Sequence, residues 1–150
     1  MSEIHFLPKK QLRDSFIDKI KMNDDHSLIA FTVDIGNTER CTAGIKDMKT
    51  QTILPGIKLE AVSQAEFFGQ QEVDGVVEDV LVFVQMNELN RPYKVKRIGV
   101  QSRSEQTLFM DDDPTHYIDV SISKDKQCMF INTSTKEDSE VWVVKKNAET

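Results

Sequence analysis

Histidine is the side chain that most readily trades a proton near neutrality, and the chain has three. His116 follows Asp111-Asp112-Asp113-Pro114-Thr115, whereas His5 lies near the N-terminus and His26 in a polar turn. A histidine beside a carboxylate is the base half of a nucleophilic triad, and the other half is an activated hydroxyl. In elbow-type hydrolases that hydroxyl sits in Gly-x-Ser-x-Gly, where a strained turn lifts the serine towards its base. None of the six glycines is followed two positions later by serine; Gly99, for instance, precedes Val100, Gln101 and Ser102. His116 therefore reads as a loop histidine, and no catalytic residue is expected.

The triplet Asp111-Asp112-Asp113 offers the hard oxygens that calcium takes, but adjacent carboxylates on one turn rarely converge on one ion. It reads as a turn that caps the next strand. Glu72, Asp74, Glu78 and Asp79 form a second acidic stretch, expected as a solvated hairpin loop over residues 70–79. Gly44 and Gly99 are isolated, so no phosphate cradle forms. No metal-binding and no cofactor-binding residue is expected.

The chain of 150 residues is long enough to bury a core, and its net charge of -6 argues against nucleic acid or an anionic membrane as partner. It shows neither the layout of a signal peptide nor a long apolar run, so a cytoplasmic location is expected. Cys41 and Cys128 lie in apolar strand patterns and read as free thiols rather than a disulfide. Trp142 continues a strand alternation, which favours packing in a core or between sheets over a binding platform.

Two periodicities organise the rest. Over residues 6–22, Leu12, Phe16 and Ile20 recur every four residues among Lys and Arg, which predicts an amphipathic helix. Such a helix either docks a partner or lies on its own domain, with a boundary at Asn23-Asp24-Asp25. From Leu28 the period becomes two, and short strands follow at Leu28–Ile35, 41–46 and 52–54. Strands are further expected at 62–68, 80–86, 93–96, 106–110, 117–121, 128–133 and 141–144. In 80–86 both faces are apolar, the mark of a strand covered on both sides. The centres Thr32, Phe83 and Ile131 are spaced 51 and 48 residues apart, and Ala43, Val95 and Val143 by 52 and 48. A repeat of about 50 residues with four short strands predicts β-propeller blades. The expected architecture is all-β, an incomplete β-propeller of about three four-stranded antiparallel blades over residues 25–150, preceded by an N-terminal helix and linker over 1–24. An immunoglobulin-like sandwich also has many short strands, but does not repeat at this interval.

The Asp112-Asp113-Pro114 turn, Tyr117-x-x-Val120, Ser123-Lys124-Asp125, Phe130-Ile131-Asn132 and the run Ser139-Glu140-Val141-Trp142-Val143-Val144 carry a more specific signal. Together they resemble the N-terminal β-propeller of the prolyl oligopeptidase family of serine peptidases, in its oligopeptidase B and prolyl endopeptidase-like branch. The resemblance covers about residues 25–145 and implies a seven-bladed propeller followed by an α/β-hydrolase domain holding the catalytic Ser, Asp and His. It implies that the propeller gates short peptides into that domain, cut after proline or after basic residues. Those catalytic positions have no counterpart in these 150 residues, so the chain alone is expected to be inactive and to be a fragment. Its expected partners are the hydrolase domain, in cis in the family, or another protein, with short peptides as the family's substrate. The alternative is a stand-alone, non-catalytic interaction module whose helix or blade edges dock another protein.

Overall fold

Runs of β-branched and aromatic residues, broken by turn-forming Gly, Asn and Asp, become strands wherever they occur. The structure is a computed structural model that describes residues 15–146, and its regular elements are eleven antiparallel strands with no helix among the described residues. They are β1 (Ser15–Met22), β2 (Leu28–Ile35), β3 (Cys41–Asp47), β4 (Thr52–Ile53), β5 (Leu59–Val73) and β6 (Val76–Met86). Next come β7 (Pro92–Gly99), β8 (Glu105–Met110), β9 (Tyr117–Ile122), β10 (Cys128–Ser134) and β11 (Ser139–Lys145). An eight-stranded sheet runs β1-β2-β3-β5-β6-β7-β8 with β4 paired to β3, and a three-stranded sheet runs β11-β10-β9. No helix among the described residues is long and apolar enough to cross a membrane.

The doubly apolar strand lies where its pattern places it. Val80, Leu81, Val82, Phe83 and Val84 on β6 are each at most 1% exposed. Val80, Val82 and Val84 join Phe68, Ile118, Val120, Met129 and Ile131 in one core, which ties the large sheet to the small one. Leu81 and Phe83 face the opposite core, made with Ala30, Ala43, Ile45, Val62 and Phe67. Two cores thus share β6 as their common wall.

The long strand β5 makes this stacking possible. Near its start it pairs with β3 (Ala43↔Leu59, Cys41↔Val62), and from Val62 to Val73 it pairs with β6. Bulges between Val62 and Gln64 and between Phe67 and Gln70 bend it, as an extra residue in one strand does.

The first strand corrects an expectation. Residues 15–22 of the segment read as a helix form β1, antiparallel to β2 from Ser15↔Ile35 to Met22↔Ile29, and the sheet therefore begins ahead of Asn23-Asp24-Asp25. Residues 6–14 of that segment lie outside the described residues. A recurrence of four satisfies a period of two as well as one of 3.6, so the spacing of Phe16 and Ile20 alone does not separate a strand from a helix. A bulge between Ile17 and Lys19 is stitched by the Lys19 amide donating to Thr32 Oγ1 at 3.1 Å. Phe16, Ile17, Ile20 and Met22 remain about half exposed on this edge.

Candidate functional site

The acidic stretch at 70–79 is not a loop. Residues up to Val73 belong to β5 and those from Val76 to β6, leaving Asp74-Gly75 as the turn, with positive φ at both. The Gln71↔Glu78 pairing draws Glu78 into the sheet, where it is 4% exposed. Its Oε1 accepts hydrogen bonds from the amides of Gln101 (2.7 Å) and Ser102 (2.8 Å), and Oε2 has no hydrogen-bond partner among the described residues. The neighbouring Asp79 is pushed above the usual carboxylate range by burial, which the hydrogen bond from Asn23 Nδ2 at 3.4 Å partly offsets. Asn23 is itself buried in the β1–β2 turn, where its Oδ1 accepts from the Leu28 amide. These carboxylates hold turns together.

The Asp111–His116 turn does gather the residues that the sequence singled out. Asp111 Oδ1 accepts from the Asp113 amide at 3.0 Å, and Asp113 Oδ1 accepts from the Thr115 amide at 2.9 Å, so both act as turn caps. His116 Nδ1 lies 2.5 Å from Asp111 Oδ2, and Nε2 lies 3.9 Å from Asp113 Oδ2. The hydrogen bond to Asp111 raises the imidazole above its ordinary value, and the same bond lowers Asp111. The imidazole is thus held by Asp111 on one side, with the Asp113 carboxylate standing off its other nitrogen. Trp142 stands half exposed on β11 with its ring 5.9 Å from that of Phe109 on β8, a contact between the two sheets.

A third feature escaped the sequence reading. A cleft of about 310 Å³ opens at one end of the strands, lined by Asp18, Asp34, Glu39, Cys41 and Tyr117 among others. Asp34, 3% exposed, accepts from the amides of Thr38 and Glu39 at 2.9 Å each and so closes the β2–β3 loop. Cys41 is buried and free, while Cys128 is free and half-buried. Burial, followed by the charges of Asp18 and Asp34, pushes the Cys41 thiol up to about 11. At about pH 8, an aromatic disulfide reagent is therefore expected to modify Cys128 first and to reach Cys41 only on unfolding. Prompt reaction of both thiols in the folded chain would contradict this placement.

Comparison with known proteins supplies what these side chains alone do not. The family described as the N-terminal β-propeller domain of prolyl oligopeptidase matches residues 13–150. Protease 2 of Moraxella lacunata is 26% identical over 126 residues, covering 83% of this chain and 18% of its own length. The prolyl endopeptidase-like protein of Homo sapiens is 27% identical over 140 residues, covering 92% of this chain and 18% of its own. The chain thus spans about a fifth of the length of these relatives. Among solved structures, oligopeptidase B from Leishmania major superposes with a TM-score of 0.74 at 19% identity, over 97% of this chain and 20% of its own. The β-propeller domain of the Trilobed protease from Pyrococcus furiosus gives a TM-score of 0.61 at 11% identity, over 89% of this chain and 40% of its own. Those likenesses establish the fold, and with the family pattern matched from residue 13 to the end, the chain belongs to the prolyl oligopeptidase family as part of its N-terminal β-propeller domain.

Proposed function

We propose that these residues form about three blades of a propeller that gates the entry of short peptides to a serine-type hydrolase domain. The family match over residues 13–150 carries this reading. Taken as blades, β1–β4, β5–β8 and β9–β11 hold four, four and three strands. A propeller wall contributes by geometry: it excludes water and folded proteins while admitting extended chains, without supplying a reacting group. The hydrolase domain, in cis or as a partner chain, supplies Ser, Asp and His.

A fluorophosphonate probe tests the division of labour. It is expected to leave the 150-residue chain unlabelled, and covalent labelling would show a nucleophile that the reading denies. Joined to its hydrolase domain, the protein is expected to cut a short peptide and spare the same sequence inside a folded protein.

A second reading, a stand-alone interaction module, draws on the two outer strands. Among the described residues β1 and β11 each pair with a strand on one side, and Ile17, Ile20, Val141, Trp142 and Val143 on them are 52–60% exposed. Sedimentation distinguishes the cases: a stable 17.2 kDa monomer disfavours self-association through these edges, and a multiple of that mass supports it.

A further inference from the structure

Strand β9 stands at the edge of the small sheet, paired with β10 on one side. An edge strand leaves every second residue with its N–H and C=O pointing away from its neighbour. Val120 is such a residue, and at 2% exposure it is sealed from solvent. Both of its groups are taken by one side chain of the large sheet: the Val120 amide donates to Gln64 Oε1 at 3.0 Å, and Gln64 Nε2 donates to Val120 O. A carboxamide presents a donor and an acceptor side by side, as a peptide group does, so it can sit where a neighbouring strand would.

The first bulge in β5 explains how Gln64 comes to point there. Val62 pairs with Gln85 and faces the core that holds Leu81 and Phe83. Two residues on, an unbroken strand would put Gln64 on that same face. The extra residue, Ser63, pairs Gln64 with Val84 instead, whose side chain belongs to the core shared with Val120. One inserted residue thus turns a polar side chain from one core to the other.

We propose that Gln64 is a clasp between the sheets, standing in for a strand beside β9 and fixing where the small sheet rests on β5 and β6. The apolar contacts of the shared core are non-directional and tolerate sliding. Two bonds to one residue do not, since the neighbours Asp119 and Ser121 turn their own N–H and C=O towards β10. This device does not depend on the gating role.

Nuclear magnetic resonance on the full 150-residue chain tests it. A scalar coupling across the hydrogen bond is expected between the Val120 amide nitrogen and the Gln64 side-chain carbonyl carbon, and its absence would overturn the clasp. In Gln64→Ala, deuterium exchange at the Val120 amide is expected to accelerate at least about tenfold more than at the Leu81 and Phe83 amides on β6. Gln64→Glu keeps an acceptor for the amide but loses the donor, and is expected to fall between the parent chain and Gln64→Ala. Equal acceleration at Val120 and on β6 would show only a general loss of stability and would sink the proposal. The coupling is read on the unsubstituted chain, so a poorly folding variant does not remove the test.

Discussion

Phe83→Ala is expected to lower the free energy of unfolding by about 3–5 kcal/mol, the usual cost of emptying a well-packed aromatic site. Phe83 is 1% exposed and faces the core shared with Ala30, Ala43, Ile45 and Phe67, so the truncation leaves a void between two layers rather than at a surface. The Lys96 ammonium also lies 5.9 Å from the ring centroid, and its attraction to the π face would be lost. Val77→Ala on the same strand is the control: its side chain is 65% exposed, and a change within about 0.5 kcal/mol is expected. Urea titration reads the difference as a midpoint lower by more than about 1 M in the phenylalanine variant. If alanine leaves too little stability to measure, Phe83→Leu carries the same comparison on a smaller scale. A cost below about 1 kcal/mol would mean that β6 is not the common wall of two cores.

Gly99→Ala is expected to cost about 2–4 kcal/mol for a different reason. A Cβ at Gly99 would stand 2.3 Å from Glu78 Oε1 and 2.6 Å from Ser102 Oγ. The carboxylate has little room to yield, since its Oε1 holds the amides of Gln101 and Ser102. Moving it breaks both bonds, and a hydrogen bond to a charged group is worth about 1.5–3 kcal/mol. The damage spreads through the β7–β8 turn, whose Gly99 amide donates to Ser104 O at 3.0 Å and whose Arg103 guanidinium grips Pro55 O. Glu78→Gln preserves an acceptor at Oε1 and is expected to stay within about 1 kcal/mol of the parent chain. A double-mutant cycle is the decisive measurement: in a Glu78→Ala background the extra cost of Gly99→Ala is expected to shrink by about 1–2 kcal/mol. Strict additivity would show that the two residues do not meet.

Much of this architecture is legible in the residues. The apolar alternation on both faces of 80–86 marks β6 as covered on both sides, and Val80 to Val84 are buried as that pattern requires. The strands expected from Leu28 to Val144 all form, including the two-residue edge strand β4. Phe16 and Ile20 misled because their spacing suits two periods at once, and only the partner strand β2 decides between them. On β2 itself, the alternation sets Ile29, Phe31, Val33 and Ile35 on one face and Ala30, Thr32 and Asp34 on the other; of the first set only Val33 is buried, whereas all of the second are. Small residues sit where another layer presses close, and large ones cover the open side of an outer sheet.

The polar sites were less legible. Glu78 looks like any loop acid until its strand pairs Val80 with Gly99, which brings the carboxylate over a turn more than twenty residues away. The local part of the Asp111–His116 arrangement could be read, because an aspartate capping the residue two ahead needs no distant partner.

The bent strand β5 has one more implication, for breakage. It is laced at one end to β3 and along the rest to β6, so a protease that nicks the exposed connection around Lys49 and Thr50 severs a tether but frees nothing. Both halves remain buttoned to a single ribbon, and the cut chain should travel as one particle until the whole assembly comes apart at once.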